Sequence, residues 1–180
     1  MKVIKARFPI VSIIVFLTLC ALQLFAQNPK LSDPEVASVA VAANQIDINY
    51  ATIAKEKSKD ADVLKFAETM TNDHKAVIDQ AVALVKKLNV TPQDNAVSKK
   101  LQDDAEKTKT TLRSKSGKDF DKAYIDNEVA YHKAVISAVQ DLLIPETENS
   151  ELKQLLQNIL PALKTHLEHA EMVQKTLSSK

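Results

Sequence analysis

Apolar residues recur every three or four positions along most of the chain after residue 33, and this period predicts amphipathic α-helices. Four long helices are predicted, at about 33–57, 60–88, 120–144 and 148–177. Asp33 and Asp60 are candidate N-caps of the first two, and Pro145 is expected to end the third. The fourth contains Pro161, which is expected to bend it because proline has no amide hydrogen.

The segment between the second and third helices is mostly polar and is interrupted at Gly117, which predicts a long connection that is only partly helical. The predicted fold is therefore an all-α, ferritin-like four-helix bundle with a long, partly helical crossover between helices 2 and 3. An up-down-up-down bundle with a fifth, short helix is the alternative. Composition agrees with an all-α fold, since the chain has one glycine, no tryptophan and 4% aromatic residues.

The N-terminal segment follows a different pattern. Three basic residues precede an uncharged, apolar run at 8–26, which ends on the small residue Ala26. This order is typical of a secretory signal peptide at 1–26, cleaved after Ala26, followed by a short linker at 27–32 and a helical domain at 33–178. A periplasmic or secreted protein is predicted.

Two alternatives to cleavage remain open, and they are the only membrane contacts that the sequence predicts. The apolar run is long enough to stay as an uncleaved anchor, and Cys20 could carry a lipid. Cys20 is also the only cysteine, so cleavage would leave a chain without thiol chemistry. Of 24 basic and 23 acidic residues, three basic and no acidic ones lie in this segment, so the remaining chain is slightly acidic and is not predicted to bind nucleic acid. No protein partner is identified.

Three of the four histidines lie on the apolar stripes of three predicted helices. His74, His132 and His166 stand three or four residues from core positions, so their side chains are expected to point inward. Buried ionisable groups need partners. One interpretation is a site for a divalent transition-metal ion or a small ligand, with a carboxylate from Asp47 or Glu128. The other is a buried polar network in which the histidines only hold the core.

The depth of these residues along their helices can be counted from the predicted turns. The count places Asp47 and His74 within one helical turn of each other, and His132 and His166 about two turns apart. Di-iron bundles require Glu-x-x-His pairs, and Glu128 and His132 are four residues apart, so that chemistry is not predicted. No nucleophile with an adjacent base and no glycine-rich phosphate loop occurs, so no catalytic residue is predicted and an enzymatic role is not favoured.

Three helical segments carry longer motifs: VLKFAETMTNDHKAVI, FDKAYIDNEVAYHKAVI and LPALKTHLEHAEMV. They resemble the signature segments of a bacterial family, domain of unknown function 4142, from about Asp33 to Leu177. The resemblance implies a ferritin-like fold and an exported protein, and it implies no reaction. It also implies that certain residues belong together: Phe66, Met70, Asp73 and His74; Phe120, Asp121, Tyr124 and His132; and Pro161 with His166.

The first helix departs from the family pattern. The family usually has a Glu-x-Glu motif there, and Asp47 and Asn49 stand at the matching positions. Two functions remain open. One is an exported helical protein that binds a metal ion or small ligand through its inward histidines and Asp47. The other is a non-catalytic envelope interaction or stress-related protein in which those histidines are only structural.

Overall fold

The computed structural model of the protein describes residues 30–179. The predicted signal segment, with Cys20 and the cleavage position at Ala26, lies outside the described residues, as does the first half of the predicted linker, residues 27–29. Within the described residues the structure is all-helical and contains no strand, so the predicted all-α class is confirmed. No helix in this part of the chain combines the length and the apolar character needed to cross a membrane.

Five helices of three turns or more account for nearly all of the described chain. They are α1 (Asp33–Lys57), α2 (Ala61–Lys87), α3 (Ala96–Ser114), α4 (Gly117–Ala138) and, after a π-helical turn (Val139–Leu143) and the short α5 (Ile144–Glu146), α6 (Ser150–Ser178). α1, α2, α4 and α6 lie where the four apolar stripes predict helices, and α3 occupies the polar connection.

The third long helix does not end where the sequence predicts. Pro145 is expected to stop it, but the π-helical turn carries the helical path past that residue to Glu146. Pro145 is tolerated because it lies in the first turn of α5, where an amide has no partner within that helix. α6 continues through Pro161 as one helix.

The N-cap of α1 also differs from the prediction. Ser32 is the cap, and the Glu35 carboxylate accepts hydrogen bonds from its amide at 2.9 Å and its hydroxyl at 2.7 Å. Asp33, the predicted cap, instead accepts the amide hydrogens of Glu148 and Asn149 at 2.9 and 3.0 Å. Its carboxylate therefore ties the start of α1 to the start of α6. The predicted cap of α2 is confirmed, since Asp60 accepts from the amides of Asp62 and Val63.

Contacts at the two ends define the path of the chain. α1 and α2 form a hairpin, after which the Gln93 amide donates to the Pro34 carbonyl, so α3 begins beside the start of α1. α3 packs along α1, and the Lys57 ammonium donates to the Arg113 carbonyl at the far end of both helices. α3 therefore returns the chain along the length of the molecule before α4 and α6 form a second hairpin.

The buried apolar side chains form two separate clusters. One surrounds the aromatic residues Phe66, Phe120 and Tyr124, and the other contains Val36, Val139, Leu152, Leu156 and Leu163. Along α1, α2, α4 and α6, the apolar side chains towards one end of the helix belong to one cluster and those towards the other end to the second cluster. The change occurs near the inward polar residue of each helix. The polar side chains therefore lie in a layer between two halves of the core.

The single glycine, Gly117, has a positive φ of 56° at the first residue of α4. A Cβ atom there would meet nothing within 4 Å, so substitution has a backbone cost and no packing cost.

We expect Gly117→Ala to lower the free energy of unfolding by about 1 kcal/mol in urea denaturation. Gly117→Asn is the matched control and should lose less, because asparagine tolerates this conformation. An alanine variant as stable as the wild type would contradict this reading.

Candidate metal centre

Each of the four long helices contributes a buried polar residue to the layer between the two apolar clusters. On α1, Asp47 lies between Val39 and Tyr50; its neighbours at the same level are His74 on α2, His132 on α4 and His166 on α6. All four side chains are buried, with relative exposures of 0% to 5%. The regular spacing of the apolar stripes puts them there, because each stands in a stripe position that a core residue would otherwise fill.

The three imidazoles converge on one another. Their ring centroids are 5.2 Å apart for His74 and His166, 5.6 Å for His132 and His166, and 5.8 Å for His74 and His132. One ligand nitrogen from each ring lies within 4.8 Å of the other two. The count that separated His132 and His166 by two turns was therefore wrong. It assumed that the third helix stops at Pro145, whereas the extra helical residues bring the two rings to the same level.

Each histidine uses one ring nitrogen as a donor to an oxygen. His74 Nδ1 bonds to Asn44 Oδ1 at 2.8 Å, His132 Nδ1 to the Glu128 carbonyl at 2.9 Å, and His166 Nε2 to Asp73 Oδ2 at 2.9 Å. These oxygens only accept, so the hydrogen sits on the bonded nitrogen in each neutral ring. The other nitrogens, His74 Nε2, His132 Nε2 and His166 Nδ1, are buried and have no hydrogen-bond partner among the described residues. Each of the three converging rings therefore has one buried nitrogen without a hydrogen-bond partner among the described residues.

Asn44 is the residue of this arrangement that sequence reasoning missed. Its amide nitrogen donates to the Ala40 carbonyl at 2.8 Å, which turns its oxygen toward His74. The signal was present in the spacing, because Asn44 stands three residues before Asp47 and therefore on the same helix face. An asparagine on an apolar face has the same need for a partner as a histidine.

Asp47 faces two of the bare nitrogens. Its Oδ2 atom lies 3.4 Å from His74 Nε2 and 3.5 Å from His132 Nε2, and neither carboxylate oxygen has a hydrogen-bond partner among the described residues. Lone pairs on neutral imidazole and on a carboxylate repel each other unless a proton or a cation lies between them. The position of Asp47 therefore calls for a proton or a cation between these three atoms.

Glu128, the second carboxylate that the sequence suggested, lies in the same layer. One oxygen of Glu128, one of Asp47 and one nitrogen of His132 all lie within 4.8 Å of one another. Glu128 is fully buried, and its carboxylate oxygens have no hydrogen-bond partner among the described residues. Its Oε2 atom lies 3.6 Å from His132 Nδ1. This nitrogen already donates to the backbone, so Glu128 borders the histidine cluster and contacts it less directly than Asp47 does.

Burial determines the charge state of these groups. It raises the pKa of Asp47 to about 8, and burial together with the nearby Asp47 charge raises the pKa of Glu128 well above its ordinary value. Burial, with repulsion from neighbouring histidines, lowers the pKa of His74 to about 3. Burial likewise lowers the pKa of His132 to about 4. Both imidazoles are therefore neutral at pH 7, which is the form that binds metal ions.

The spacing fits a small tetrahedral coordination sphere. Nitrogen and oxygen ligands lie about 2.0–2.2 Å from Zn²⁺, so two ligands of a tetrahedral ion are separated by about 3.3–3.5 Å. The 3.4 and 3.5 Å distances from Asp47 Oδ2 to His74 and His132 match this edge. The outer hydrogen bonds match as well, because metal-binding histidines usually donate their second nitrogen to a carboxylate or a carbonyl.

Two positions singled out by the family pattern make contacts that the pattern did not specify. Asp73 precedes His74 in sequence, yet its carboxylate binds His166 on α6, since adjacent residues point to different sides of a helix. Asn49, where the family usually has a second glutamate, accepts a hydrogen bond from Gln45 on the outer side of α1 at 3.1 Å. Position 49 therefore does not face the histidine cluster, and the replacement of the family's glutamate by Asn49 removes no ligand from it.

Two cavities of about 210 Å³ each border the layer. One is mostly apolar and reaches Asp47, His74 and His132 from between α1, α3, α4 and α6. The other reaches His74 and His166 beside Asp73 and Gln80. Asp73 is half exposed, with 51% of its side-chain surface accessible, so the second cavity gives water and ions a polar route inward.

In the presence of a chelator, we expect the free energy of unfolding to fall as the pH is raised from 6.5 to about 8. Asp47 keeps its proton in the folded state over this range, whereas an aspartate of ordinary pKa, 3.8, has lost it in the unfolded chain. The folded state then binds more protons, so rising pH favours unfolding, with a slope approaching about 1.4 kcal/mol per pH unit for each proton. His74 and His132, of ordinary pKa 6.5, are neutral in the folded state but about half protonated in the unfolded chain at pH 6.5, so they oppose this trend at the low end of the range and cease to matter towards pH 8.

Urea denaturation at the two pH values measures this slope. Asp47→Asn is the control and should reduce it, because asparagine does not titrate. As the pH falls towards and below 6.5, the depressed pKa values of the two histidines act increasingly in the opposite direction, because the unfolded chain takes up protons that the folded state does not bind. Stability that rises between pH 6.5 and 8 in the wild type would show that Asp47 is ionised in the folded protein.

Comparison with known proteins identifies a family and nothing closer. No curated protein and no solved structure matches the chain. The sequence profile described as "Domain of unknown function (DUF4142)" matches residues 21–173, which is most of the chain and includes Asp47, Glu128 and all the histidines of the cluster. The resemblance seen in the three helical motifs is thereby confirmed, and the chain belongs to the DUF4142 family.

Proposed function

We propose that this protein is an exported, ferritin-like helical bundle that binds one divalent transition-metal ion through His74, His132 and His166, with Asp47 as the carboxylate ligand. The proposal assigns binding and no reaction. The observation that carries it is the convergence of three buried imidazoles from three helices: the rings offer one nitrogen each within 4.8 Å of the other two, and each ring has one nitrogen without a hydrogen-bond partner among the described residues.

The path of the helices supports the ferritin-like part of the proposal. α3 runs the length of the molecule between two hairpins, as the long connection of such a bundle does. The N-terminal segment supports export, because a basic start, an apolar run and a small final residue are typical of a signal peptide.

The donor set favours zinc among the divalent ions. Imidazole suits zinc, copper, iron and nickel, and a single carboxylate is compatible with each of them. The edges of 3.4 and 3.5 Å at Asp47 are those of a tetrahedral site, which is the geometry that zinc prefers. Closing the three imidazole nitrogens onto one ion requires them to approach from separations of up to 4.8 Å to about 3.3 Å, a change within the reach of side-chain rotation.

The purely structural alternative explains these contacts less well. In that case a protonated Asp47 would donate to an imidazole nitrogen, in a bond about 2.7–3.0 Å long, or to the adjacent Glu128 carboxylate. A bond to Glu128 would leave both imidazole nitrogens without a partner. The observed distances of 3.4 and 3.5 Å are too long, and they are shared almost equally between His74 and His132. The proton of Asp47 can satisfy only one of the two nitrogens at a time, whereas a cation bound to all three atoms would satisfy both.

Replacing His166 by leucine should abolish tight zinc binding without unfolding the protein. Its bare Nδ1 would be lost as a ligand, and the Asp73 carboxylate left behind is half exposed and can bond to water. We expect the purified wild-type chain to retain one zinc ion after dialysis, and to gain about 2.7 kcal/mol of stability when free zinc is a hundred times its dissociation constant. His166→Leu should show neither effect.

His169→Leu is the matched control, because it makes the same substitution one turn further along α6. His169 packs its ring against Phe66 at 5.1 Å and belongs to neither group of candidate ligands. Metal analysis and thermal unfolding of both variants, with zinc, copper, nickel and iron(II) tested in turn, decide the proposal. A wild-type chain that retains none of these ions, or a His166→Leu variant that binds as tightly as the wild type, would overturn it.

The two buried carboxylates should differ in their effect on zinc affinity. Asp47→Asn removes the oxygen that lies 3.4 and 3.5 Å from two ligand nitrogens, so we expect the dissociation constant to rise by about a hundredfold or more. Glu128→Gln keeps the shape of a side chain that only borders the cluster, and we expect a change of about tenfold or less. Competition with a chromogenic chelator measures both. If Glu128→Gln raised the dissociation constant for zinc as much as Asp47→Asn or more, Asp47 would lose its assignment as the carboxylate ligand in favour of Glu128.

A further inference from the structure

The mostly apolar cavity beside the histidine cluster has features of a binding compartment. Its volume is about 210 Å³, and an apolar cavity of roughly 150 Å³ already holds a benzene molecule. Aliphatic side chains from four helices form its walls, among them Val39, Leu101, Val135, Leu156, Ile159 and Leu163. Such walls offer water few hydrogen bonds, so an apolar molecule of ring size is the better occupant.

Five polar residues line this cavity: Asn44, Asp47, His74, Tyr131 and His132. Among them, the Tyr131 hydroxyl donates to the Ala43 carbonyl at 2.9 Å, and both ends of the Asn44 amide are bonded. The remaining polar residues are Asp47, His74 and His132. Both carboxylate oxygens of Asp47 and the Nε2 atoms of the two histidines have no hydrogen-bond partner among the described residues. A molecule in the cavity would contact mostly aliphatic side chains and, where it reaches Asp47, His74 and His132, the candidate ligands.

The two cavities divide the approaches to the cluster. The apolar one borders Asp47 and His132, whereas the polar one borders His166 and the half-exposed Asp73. His74 and Asn44 separate them, since both residues line both cavities. An ion can therefore arrive from the polar side while an organic molecule occupies the apolar side.

We infer that the apolar cavity binds a ring-sized apolar molecule that carries a single oxygen donor, and that this donor coordinates the ion held by the three histidines. The inference rests on the proposed function for the ion and on the cavity for the organic part. In the proposed site Asp47 holds the fourth position of a tetrahedral ion, and Asp47 lines the cavity, so a donor in the cavity either displaces the Asp47 oxygen or enters as a fifth ligand.

Two probes test the two halves separately. Toluene has the ring and no donor, and benzoate has the ring and a carboxylate. Calorimetric titration of the full chain, zinc-loaded and chelated, should show that toluene binds both forms equally. Benzoate should bind the zinc-loaded form at least tenfold more tightly than the chelated form.

Three alanines on α4 give a matched series of leucine variants. Ala134 and Ala138 line the cavity, and Ala130 is exposed one turn before them and lines no cavity described above. Ala138→Leu should weaken both probes at least tenfold by occupying their space. Ala134→Leu, at an exposed position of low folding risk, should weaken them in the same direction. Ala130→Leu should change neither, and circular dichroism should show all three variants folded.

Failure of the inference is distinguishable from failure of the metal proposal. Benzoate that binds the zinc-loaded chain equally well in Ala138→Leu would reach the ion from the polar side and overturn the inference. Absence of binding by both probes would overturn it as well, even if zinc is retained. If no ion is retained, the joint site is wrong, and toluene binding that Ala138→Leu weakens would then show only that the cavity accepts an apolar ring.

Discussion

The repulsion among unpaired lone pairs in one buried layer is the constraint around which this structure is arranged. Three imidazole nitrogens and the oxygens of Asp47 and Glu128 face the interior without a hydrogen-bond partner among the described residues. Each such atom costs on the order of 1–3 kcal/mol, against a typical stability of about 5–15 kcal/mol for a whole domain. A single cation would turn most of these unfavourable contacts into bonds, which is the physical basis of the function proposed above.

The remainder of the core is built so that this layer can be tolerated. Two apolar clusters lie on either side of it, and the larger one stacks Phe120 on Tyr124 and sets Phe66 edge-on against Tyr124. Asp33 ties the starts of α1 and α6 together at one end, and the buried hydrogen bond from Ser58 to Asp121, 2.5 Å long, joins α4 to the loop after α1 at the other. Stability is thus supplied outside the layer, so the polar residues within it are open to selection for binding.

The histidine cluster shows where reasoning from sequence succeeds and where it stops. His74, His132 and His166 were predicted to point inward because each replaces an apolar residue on a stripe, and the structure places all three inside. Their convergence could not be obtained from the same pattern. It depends on the axial level of each ring, and a π-helical turn that carries α4 past Pro145 changes that level without altering the apolar spacing before it. The contact of Asn44 with His74 and that of Asp73 with His166 were not predicted for a related reason. Each joins two helices, and the periodicity of one helix does not indicate its partner on another.

The sequence by itself determined the all-helical class, the positions of the four long helices and the three inward histidines, because all of these follow from a 3.6-residue period and from the cost of burying polar groups. It also determined the family, through motifs that lie within single helices. Only the tertiary structure decided that the three imidazoles meet at one level, which nitrogen of each remains bare, and that an apolar cavity opens beside them. These depend on how helices distant in sequence are set against one another, and a pattern confined to one helix holds no information about the register of the next.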